Sequence, residues 1–213
     1  MTEPNQLPHG WISVVFNDVL EINPAKKVTL NPNDLVTFLP MAAISEITGS
    51  IVNRQSRPLH EVNKGFTQFA ESDVLFAKIT PSMENGKSAV ATNLENGIGF
   101  GSTEFHVLRS NGKVLPAFVW NFVRRHKFRM DAQKVMSGAV GQQRVPASYL
   151  KTQPLALPPL AEQKRIVDKL SSLFEKTERA RLELSRIPQL ITKLKAQLIH
   201  RCLIRKVDRK VAD

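Results

Sequence analysis

A heptad pattern in the last quarter of the chain constrains the fold more than any other feature of the sequence. Between residues 162 and 204, apolar or small side chains recur at alternating spacings of four and three residues. The seam consists of Ile166, Leu170, Leu173, Thr177, Ala180, Leu184, Ile187, Ile191, Leu194 and Leu198. A repeat sustained over this length is typical of a coiled coil, and it predicts a rod about 65 Å long.

A helix with such an apolar stripe is not stable alone in water and needs a partner helix. The sequence holds no second heptad run, so we expect the partner to be another chain or a second copy of this one. Pro188 lies beside the seam, and a proline inside a helix kinks or divides it. The alternative to a kinked rod is an αα-hairpin in which 162–187 folds back on 189–204.

The sequence before the segment PLALPP (154–159) predicts a separate α+β domain. Short runs rich in Val, Ile and Phe and bounded by turn residues predict strands. These runs cover 16–22, 35–40, 73–79, 87–92 and 105–108. Pro116 suits the first turn of a helix that ends in a basic cluster, Arg124 to Arg129,. We expect a globular domain over 1–155, a helical spacer and dimerisation region over 156–205, and a basic tail over 206–213.

The charge balance indicates a polyanionic partner. The chain carries 30 Lys and Arg against 19 Asp and Glu, a formal net charge of +11. Such an excess favours nucleic acid and, less often, an anionic membrane surface. The single cysteine, Cys202, excludes a disulfide framework,. Because there is no signal-peptide pattern and no apolar run near about 18 residues, we expect a cytoplasmic chain without a membrane partner.

No residue pattern indicates an active site, so we expect this chain not to be an enzyme. The stretch PSMENGKS (81–88) ends like a phosphate-binding loop, but Pro81 stands where that loop needs its first glycine,. The five histidines are scattered, and the acid-x-Lys run at 162–164 has no second carboxylate with which to share a metal ion. We therefore expect no catalytic residue, no metal site and no cofactor bound by this chain.

Two loops carry groups suited to nucleic acid. The first lies between two predicted strands, where Asn85-Gly86 favours a tight turn, and the second is glycine-rich and covers 138–144,. The candidate residues are Lys78, Thr80, Ser82, Asn85 and Lys87 in the first loop and Gln142, Gln143 and Arg144 in the second. Lysine suits phosphates, glutamine can pair with adenine and arginine with guanine. The alternative is that both loops are solvated surface turns, and that the basic cluster solvates a helix end rather than contacting phosphates.

Five segments, in this order, resemble the DNA-specificity (S) subunit of type I restriction–modification systems. They are LPHGW (7–11), DVLFAKITPSMENGKSA (73–89), GFGSTEFHVLR (99–109), MSGAVGQQRVP (136–146) and PLALPPLAEQKRIVDKLSSLF (154–174). The resemblance runs over nearly the whole chain to about residue 200. It implies that the 1–155 region is a target-recognition domain whose two loops contact DNA, with Ser102, Thr103 and Glu104 as weaker candidates.

The family's subunit has two recognition domains, each followed by a long helix, and each domain reads half of an interrupted DNA site. This sequence resembles half of such a subunit, and pairing of two copies would rebuild the helical spacer and favour an inverted-repeat site. The resemblance implies three partners: double-stranded DNA, a modification subunit that methylates adenine with S-adenosylmethionine, and in some systems a restriction subunit. The alternative is a decoy that occupies modification subunits through its helix without reading a site.

Overall fold

The computed structural model describes the backbone of residues 7–139 and 141–211, and the side chains of these ranges as far as residue 199. The chain divides into two compact units, one ending at Val167 and the other beginning at Asp168. The first unit is a mixed α+β domain, and the second consists of the remainder of one long helix. The predicted α+β class with a long C-terminal helix is therefore confirmed.

Three sheets form the framework of the first unit. The strands are β1 (Ile12–Val15), β2 (Leu20–Ile22), β3 (Leu35–Leu39), β4 (Gln55–Pro58), β5 (Thr67–Ala70), β6 (Val74–Ala77), β7 (Ser88–Val90), β8 (Ile98–Gly101), β9 (Phe105–Ser110) and β10 (Pro154–Leu157). β1 pairs with β10, and one antiparallel sheet has the order β2-β9-β6-β7. The third sheet has the order β4-β3-β8-β5 and is mixed, because β3 and β8 run parallel.

Short helices cover these sheets, and one long helix follows them. The helices are α1 (Phe16–Val19), α2 (Leu59–Val62), α3 (Pro116–Arg124), α4 (His126–Lys134), α5 (Ala147–Lys151) and α6 (Leu160–Val211). As the sequence predicts, Pro116 occupies the first turn of α3, where its missing N–H costs no helical hydrogen bond,.

The predicted strand at 16–22 is wrong in its first half, because Phe16–Val19 form α1. The Asp18 carboxylate accepts the Val15 N–H at 3.0 Å and so satisfies a donor at the start of this turn,. Phe16 and Val19 are both buried. Their spacing of three places them on one face of a helix, whereas a strand would turn them to opposite faces.

The strand register brings several loops to one end of the first unit. The parallel strands β3 and β8 end together, with Leu39 opposite Gly101, and β6 ends where β9 begins, with Ala77 opposite Phe105. The connections that leave at this end are 40–54, 78–87 and 102–104. We call this end of the first unit, defined by these three connections, the loop end.

Phenylalanine rings hold α3 and α4 against β6. Phe128 of α4 lies 5.8 Å from Phe76 of β6 and 5.5 Å from Phe122 of α3, measured between ring centroids. Phe16 of α1 joins the cluster at 5.2 Å from Phe122. Such ring pairs add about 0.5–1.5 kcal/mol each to the stabilisation from buried area. This packing fixes the two helices whose arginines reach the loop end.

The first turn of α6 is fixed by Gln163, whose side chain is fully buried. Its Oε1 accepts the Leu115 N–H at 2.8 Å, and its Nε2 donates to the carbonyls of Lys113 at 3.1 Å and Pro158 at 2.9 Å. Each of these buried polar groups would cost about 1–3 kcal/mol if left unpaired. The middle residue of the acid-x-Lys run is therefore a structural clamp.

α6 continues through Pro188 as one helix, so the αα-hairpin alternative is wrong. Proline has no N–H to donate to the Leu184 carbonyl, which costs the helix one internal hydrogen bond. The Thr192 hydroxyl donates to the Pro188 carbonyl at 2.9 Å. The helix resumes after the proline because the residues that follow include Leu, Lys, Ala and Gln, which are good helix formers,.

The heptad seam of α6 is largely exposed in this chain. Ile166 and Leu170 are half-buried, whereas Leu173, Leu184, Ile187, Ile191, Leu194 and Leu198 are between 44% and 65% exposed. The side chains of the predicted basic tail, 206–213, lie outside the described residues. Within the part of the chain that the structure describes, no helix combines the length and the apolarity needed to span a bilayer.

Candidate nucleic-acid interface

Backbone hydrogen bonds join the two predicted loops into one surface at the loop end. The Thr80 N–H donates to the Gln143 carbonyl at 3.0 Å, and the Val145 N–H donates to the Lys78 carbonyl at 2.9 Å. The two loops therefore cannot move independently without breaking these bonds. We call the joined surface the two-loop platform; it comprises 78–87 and the described residues of 137–145.

Arg144 on this platform is already held by a carboxylate. Its Nε and Nη2 donate to the two carboxylate oxygens of Glu104 at 2.9 and 2.8 Å, and its Nη1 donates to the Gln142 carbonyl at 2.9 Å. These bonds lower the pKa of Glu104 and raise the pKa of Arg144, because each charge stabilises the other across the fork,. Glu104 therefore fixes the orientation of the Arg144 side chain and neutralises its charge within the pair.

The platform carries two lysines, Lys78 and Lys87. Among the described residues, no carboxylate lies within ion-pair distance of the ammonium group of Lys78 or Lys87. Lys87 Nζ donates to the Met41 carbonyl at 3.4 Å, a contact that leaves its positive charge uncompensated. Lys78 is near enough to Glu104 to help lower the pKa of that carboxyl. These lysines are the platform's cations best suited to phosphates.

The other predicted residues lie at the same end of the domain but differ in exposure. Asn85 and Gln142 are exposed, whereas Ser82, Ser102 and Gln143 are half-buried. Asn85 Nδ2 donates to Glu46 Oε2 at 3.1 Å, and the Ser102 hydroxyl accepts the Glu104 N–H at 3.2 Å. The Thr80 hydroxyl is buried and has no hydrogen-bond partner among the described residues, so it can reach DNA only if the platform opens.

His106 supports the second loop, and the sequence analysis assigned it no role. Its Nε2 lies 2.8 Å from the Val145 carbonyl, which can only accept, so Nε2 carries the hydrogen,. Its Nδ1 then accepts from Asn23 Nδ2 at 3.0 Å. Burial lowers the pKa of His106, with nearby Lys78 acting in the same direction,. A single buried histidine in a strand gave no signal that would separate it from an ordinary core residue.

Arg124 of α3 and Arg129 of α4 donate hydrogen bonds to main-chain carbonyls of the first loop. Arg124 Nη1 donates to the Gly86 carbonyl at 2.9 Å, and Arg129 Nη1 donates to the Glu84 carbonyl. The two side chains therefore neither solvate a helix end nor extend freely toward phosphates. The basic cluster was a visible signal, but only the packing of α3 and α4 against β6 reveals what it binds.

The surface carries groups that can bind a polar anion. It combines ammonium groups, amides, hydroxyls and backbone groups, the set that contacts phosphates and base edges in nucleic-acid complexes. Among the described residues, no group of three or more His, Cys, Asp or Glu side chains is arranged to hold a metal ion.

Comparison with known proteins places the chain in a family. The Type I restriction modification DNA specificity domain matches residues 8–187. The EcoEI specificity subunit of a type I restriction enzyme from Escherichia coli is 36% identical over 174 residues, which are 81% of this chain and 29% of the relative. The chain belongs to the type I restriction–modification DNA specificity family.

Further relatives agree with this membership. The Escherichia coli EcoAI specificity subunit is 35% identical over the same share of each chain, so the present chain spans under a third of these relatives' length. A chain from a solved type I restriction–modification complex, studied for its assembly and conformational transition, matches with a TM-score of 0.67, 26% identity and coverage of 84% of this chain and 45% of that one. The HsdS subunit from Thermoanaerobacter tengcongensis shares the fold, with a TM-score of 0.66, 24% identity and coverage of 84% and 46%.

Proposed function

We propose that this chain is a non-catalytic, sequence-specific DNA-recognition component of a type I restriction–modification system. In this proposal, the recognition domain covers 1–155, the helical spacer 156–205 and the basic tail 206–213. Because the proposed partner is DNA, the proposal includes the predicted cytoplasmic location. The observation that carries the proposal is the two-loop platform, because backbone bonds unite two polar loops into one surface in a chain of the specificity family.

The platform's chemistry supports a division of work among its residues. Lys78 and Lys87 retain unpaired charge and suit phosphate contacts, which set affinity and orientation. Asn85 and Gln142 are exposed amides that can reach base edges, and the forked pair of Arg144 with Glu104 offers a donor and an acceptor side by side,. Ser82, Ser102, Thr80 and Gln143 are less exposed and would contribute after local rearrangement.

The exposed seam of α6 supports pairing with a second helix. We propose that a second copy of this chain supplies that helix, so that two recognition domains are joined and each reads half of a bipartite site. A modification subunit would bind the assembly and methylate adenine with its own S-adenosylmethionine, and a restriction subunit would add cleavage where one exists. No cofactor is assigned to the present chain.

The direct test replaces the platform lysines and measures DNA binding at several salt concentrations. Lys78→Ala and Lys87→Ala should each reduce the slope of log affinity against log salt by about 1, as expected for one lost phosphate contact. Lys113→Ala is the matched control. Lys113 is exposed and follows the end of β9 that lies away from the loop end. If both platform variants keep the wild-type affinity and slope, the platform is not the DNA surface.

The same measurement separates recognition from the decoy alternative. A decoy would bind the modification subunit through α6 and show no preference among DNA sequences. Co-purification with the modification subunit should therefore persist in the Lys78→Ala and Lys87→Ala variants under either hypothesis. Sequence preference of the wild-type complex, together with weaker binding of all sequences by the two variants, supports recognition; a wild-type complex without any preference supports the decoy.

A further inference from the structure

We propose that the loop 45–50 is a third DNA-reading segment, in which Ile47 contacts a thymine methyl group, and that Arg124 is the positioning residue that holds this loop beside the platform. The inference rests on the proposed function and extends it to residues for which the sequence analysis predicted no role. Four observations carry it: the bonds of Arg124, the fixed shape of the loop, the exposure of Ile47 and the use of the Arg124 donors.

One guanidinium joins two loops. Arg124 Nη1 donates to the Gly86 carbonyl of the first platform loop at 2.9 Å. Its Nη2 donates to the Ile47 carbonyl at 2.9 Å and to the Glu46 carbonyl at 3.3 Å. The bond between Asn85 Nδ2 and Glu46 Oε2, at 3.1 Å, links the same two loops a second time. The loop 45–50 is therefore fixed to the platform at two points.

The loop 45–50 also has a fixed shape of its own. The Ser45 N–H donates to the Ser50 carbonyl at 3.0 Å, and the Gly49 N–H donates back to the Ser45 carbonyl at 2.9 Å. Gly49 has a φ of +65°, and a Cβ at this position would lie 2.7 Å from Cζ2 of Trp120. Only glycine permits both this backbone conformation and this close approach to α3.

Ile47 is 56% exposed at the tip of this loop, between polar residues. A single exposed isoleucine is ordinary on a protein surface. Ile47 differs in that its own carbonyl is one of the two that Arg124 holds. In the major groove, the apolar group on the edge of a base pair is the C5 methyl of thymine. An apolar side chain held rigidly beside a DNA-contacting surface suits that group.

Three of the five N–H donors of Arg124 are used to hold the two loops, which argues against a phosphate contact,. Three of its hydrogen bonds go to main-chain carbonyls of the two loops, and its guanidinium carbon lies 5.2 Å from the Trp120 ring centroid. Burial and the charge of Arg129 lower the pKa of Arg124. A phosphate bound through these three donors would displace bonds that hold the loops together, so the role of Arg124 is to position them.

The first test combines a protein substitution with a DNA substitution. The full wild-type chain, together with its modification subunit, is first used to enrich duplexes from a randomised pool. The enriched duplexes are then remade with deoxyuridine in place of each thymine in turn. One such replacement should weaken wild-type binding about 3- to 10-fold, the range of a modest apolar base contact. Ile47→Ser should lose a similar factor on the thymine duplex and become insensitive to that replacement. Ile12→Ser, at an isoleucine that is 57% exposed in β1, is the matched control and should behave as wild type.

The second test distinguishes positioning from phosphate binding at Arg124. Arg124→Lys keeps the charge but replaces the planar fork by a single ammonium, so it cannot hold both loops in the same way. We expect reduced discrimination between enriched and unrelated duplexes with an unchanged salt slope. A phosphate contact would instead leave the discrimination between duplexes unchanged in Arg124→Lys and lower the salt slope by about 1 in Arg124→Ala. That pair of results would overturn the positioning role.

The outcomes also separate this inference from the proposed function. If wild-type binding is insensitive to deoxyuridine at every thymine, or Ile47→Ser keeps the wild-type sensitivity, the third reading segment is refuted while the platform stands. If the wild-type complex enriches no sequence, both the proposed function and this inference are wrong. Ile47→Ser changes an exposed side chain, so its fold is expected to remain intact, which the thermal unfolding midpoint would verify.

Discussion

At the scale of single residues, partner atoms decide what a charged side chain can do. Arg144, Arg124 and Lys87 are all cations of the loop end, yet the first is paired with a carboxylate and the other two with main-chain carbonyls. A carbonyl bond fixes position without neutralising charge, whereas the Glu104 carboxylate does both. Residue type alone identifies all three side chains only as cations suited to a polyanion.

The Glu104–Arg144 pair leads to a prediction about specificity. In Glu104→Gln the net charge of the loop end rises by one, and Arg144 loses the fork that orients it. We expect tighter binding to unrelated DNA, a salt slope steeper by up to about 1, and poorer discrimination between sequences. Competition titrations of a selected duplex against unrelated DNA would measure both effects. An unchanged discrimination ratio would mean that Arg144 does not read bases.

The buried His106 predicts a pH dependence of stability. Burial lowers its pKa in the folded state below the ordinary value of about 6.5,. The unfolded chain therefore takes up a proton at a higher pH than the folded chain. The stabilisation is complete above about pH 6.5 and declines as the pH falls from there to the lowered pKa.

His106→Gln should flatten this part of the stability profile, because glutamine can still donate to the Val145 carbonyl but does not titrate. Thermal unfolding midpoints between about pH 5 and 8 would measure the change. The matched control is His60→Gln, at an exposed histidine of α2, which should leave the decline in place. A decline of unchanged steepness in His106→Gln would contradict the assignment.

At the scale of elements, α6 shows that a long helix can tolerate an internal proline and still keep one apolar stripe. Seam residues on both sides of Pro188 remain exposed, and they include Leu184, Ile187 and Ile191. Fully burying one such side chain contributes about 1.5–3 kcal/mol, so several of them can stabilise a helix pair. Within the described part of the chain, these three side chains are between 44% and 65% exposed.

Charges placed on the seam should therefore prevent pairing. Leu184→Glu combined with Ile191→Glu should weaken self-association by more than about tenfold, since each substitution loses apolar burial and places a carboxylate in the contact. Sedimentation analysis over a range of concentrations would measure the association. Gln189→Glu adds one carboxylate outside the heptad positions and should leave association intact. Equal association in the double variant and in wild type would mean that another surface pairs the chains.

At the scale of the whole molecule, the proposed pairing predicts the symmetry of the DNA site. Two copies related by a two-fold axis would place two identical recognition domains on DNA, so the site should be an interrupted inverted repeat. Selection of duplexes from a random pool, with the chain and its modification subunit together, would measure this. A short, unrepeated site would mean that one recognition domain acts alone or beside a different one.

From the sequence alone the class of the fold was predictable, and the excess of basic residues indicated a polyanionic partner,. The heptad seam predicted α6 because its period depends on local spacing alone, and the short apolar runs predicted β2, β3, β6, β7 and most of β9 for the same reason,. The strand prediction failed at Phe16–Val19, where burial against α3 and α4 outweighs the β-rich composition of the segment. The sequence also named the two polar loops, since turn residues and charges are visible without any contact.

The way these pieces combine at the loop end depends on contacts that no local sequence pattern shows. The bonds from Thr80 to Gln143 and from Arg124 to Gly86 and Ile47 join residues far apart in the chain. Such contacts depend on strand register and on the packing of α3, which no local pattern encodes. For that reason the sequence could list candidate DNA contacts but could not tell a free lysine from an arginine already bound to Glu104.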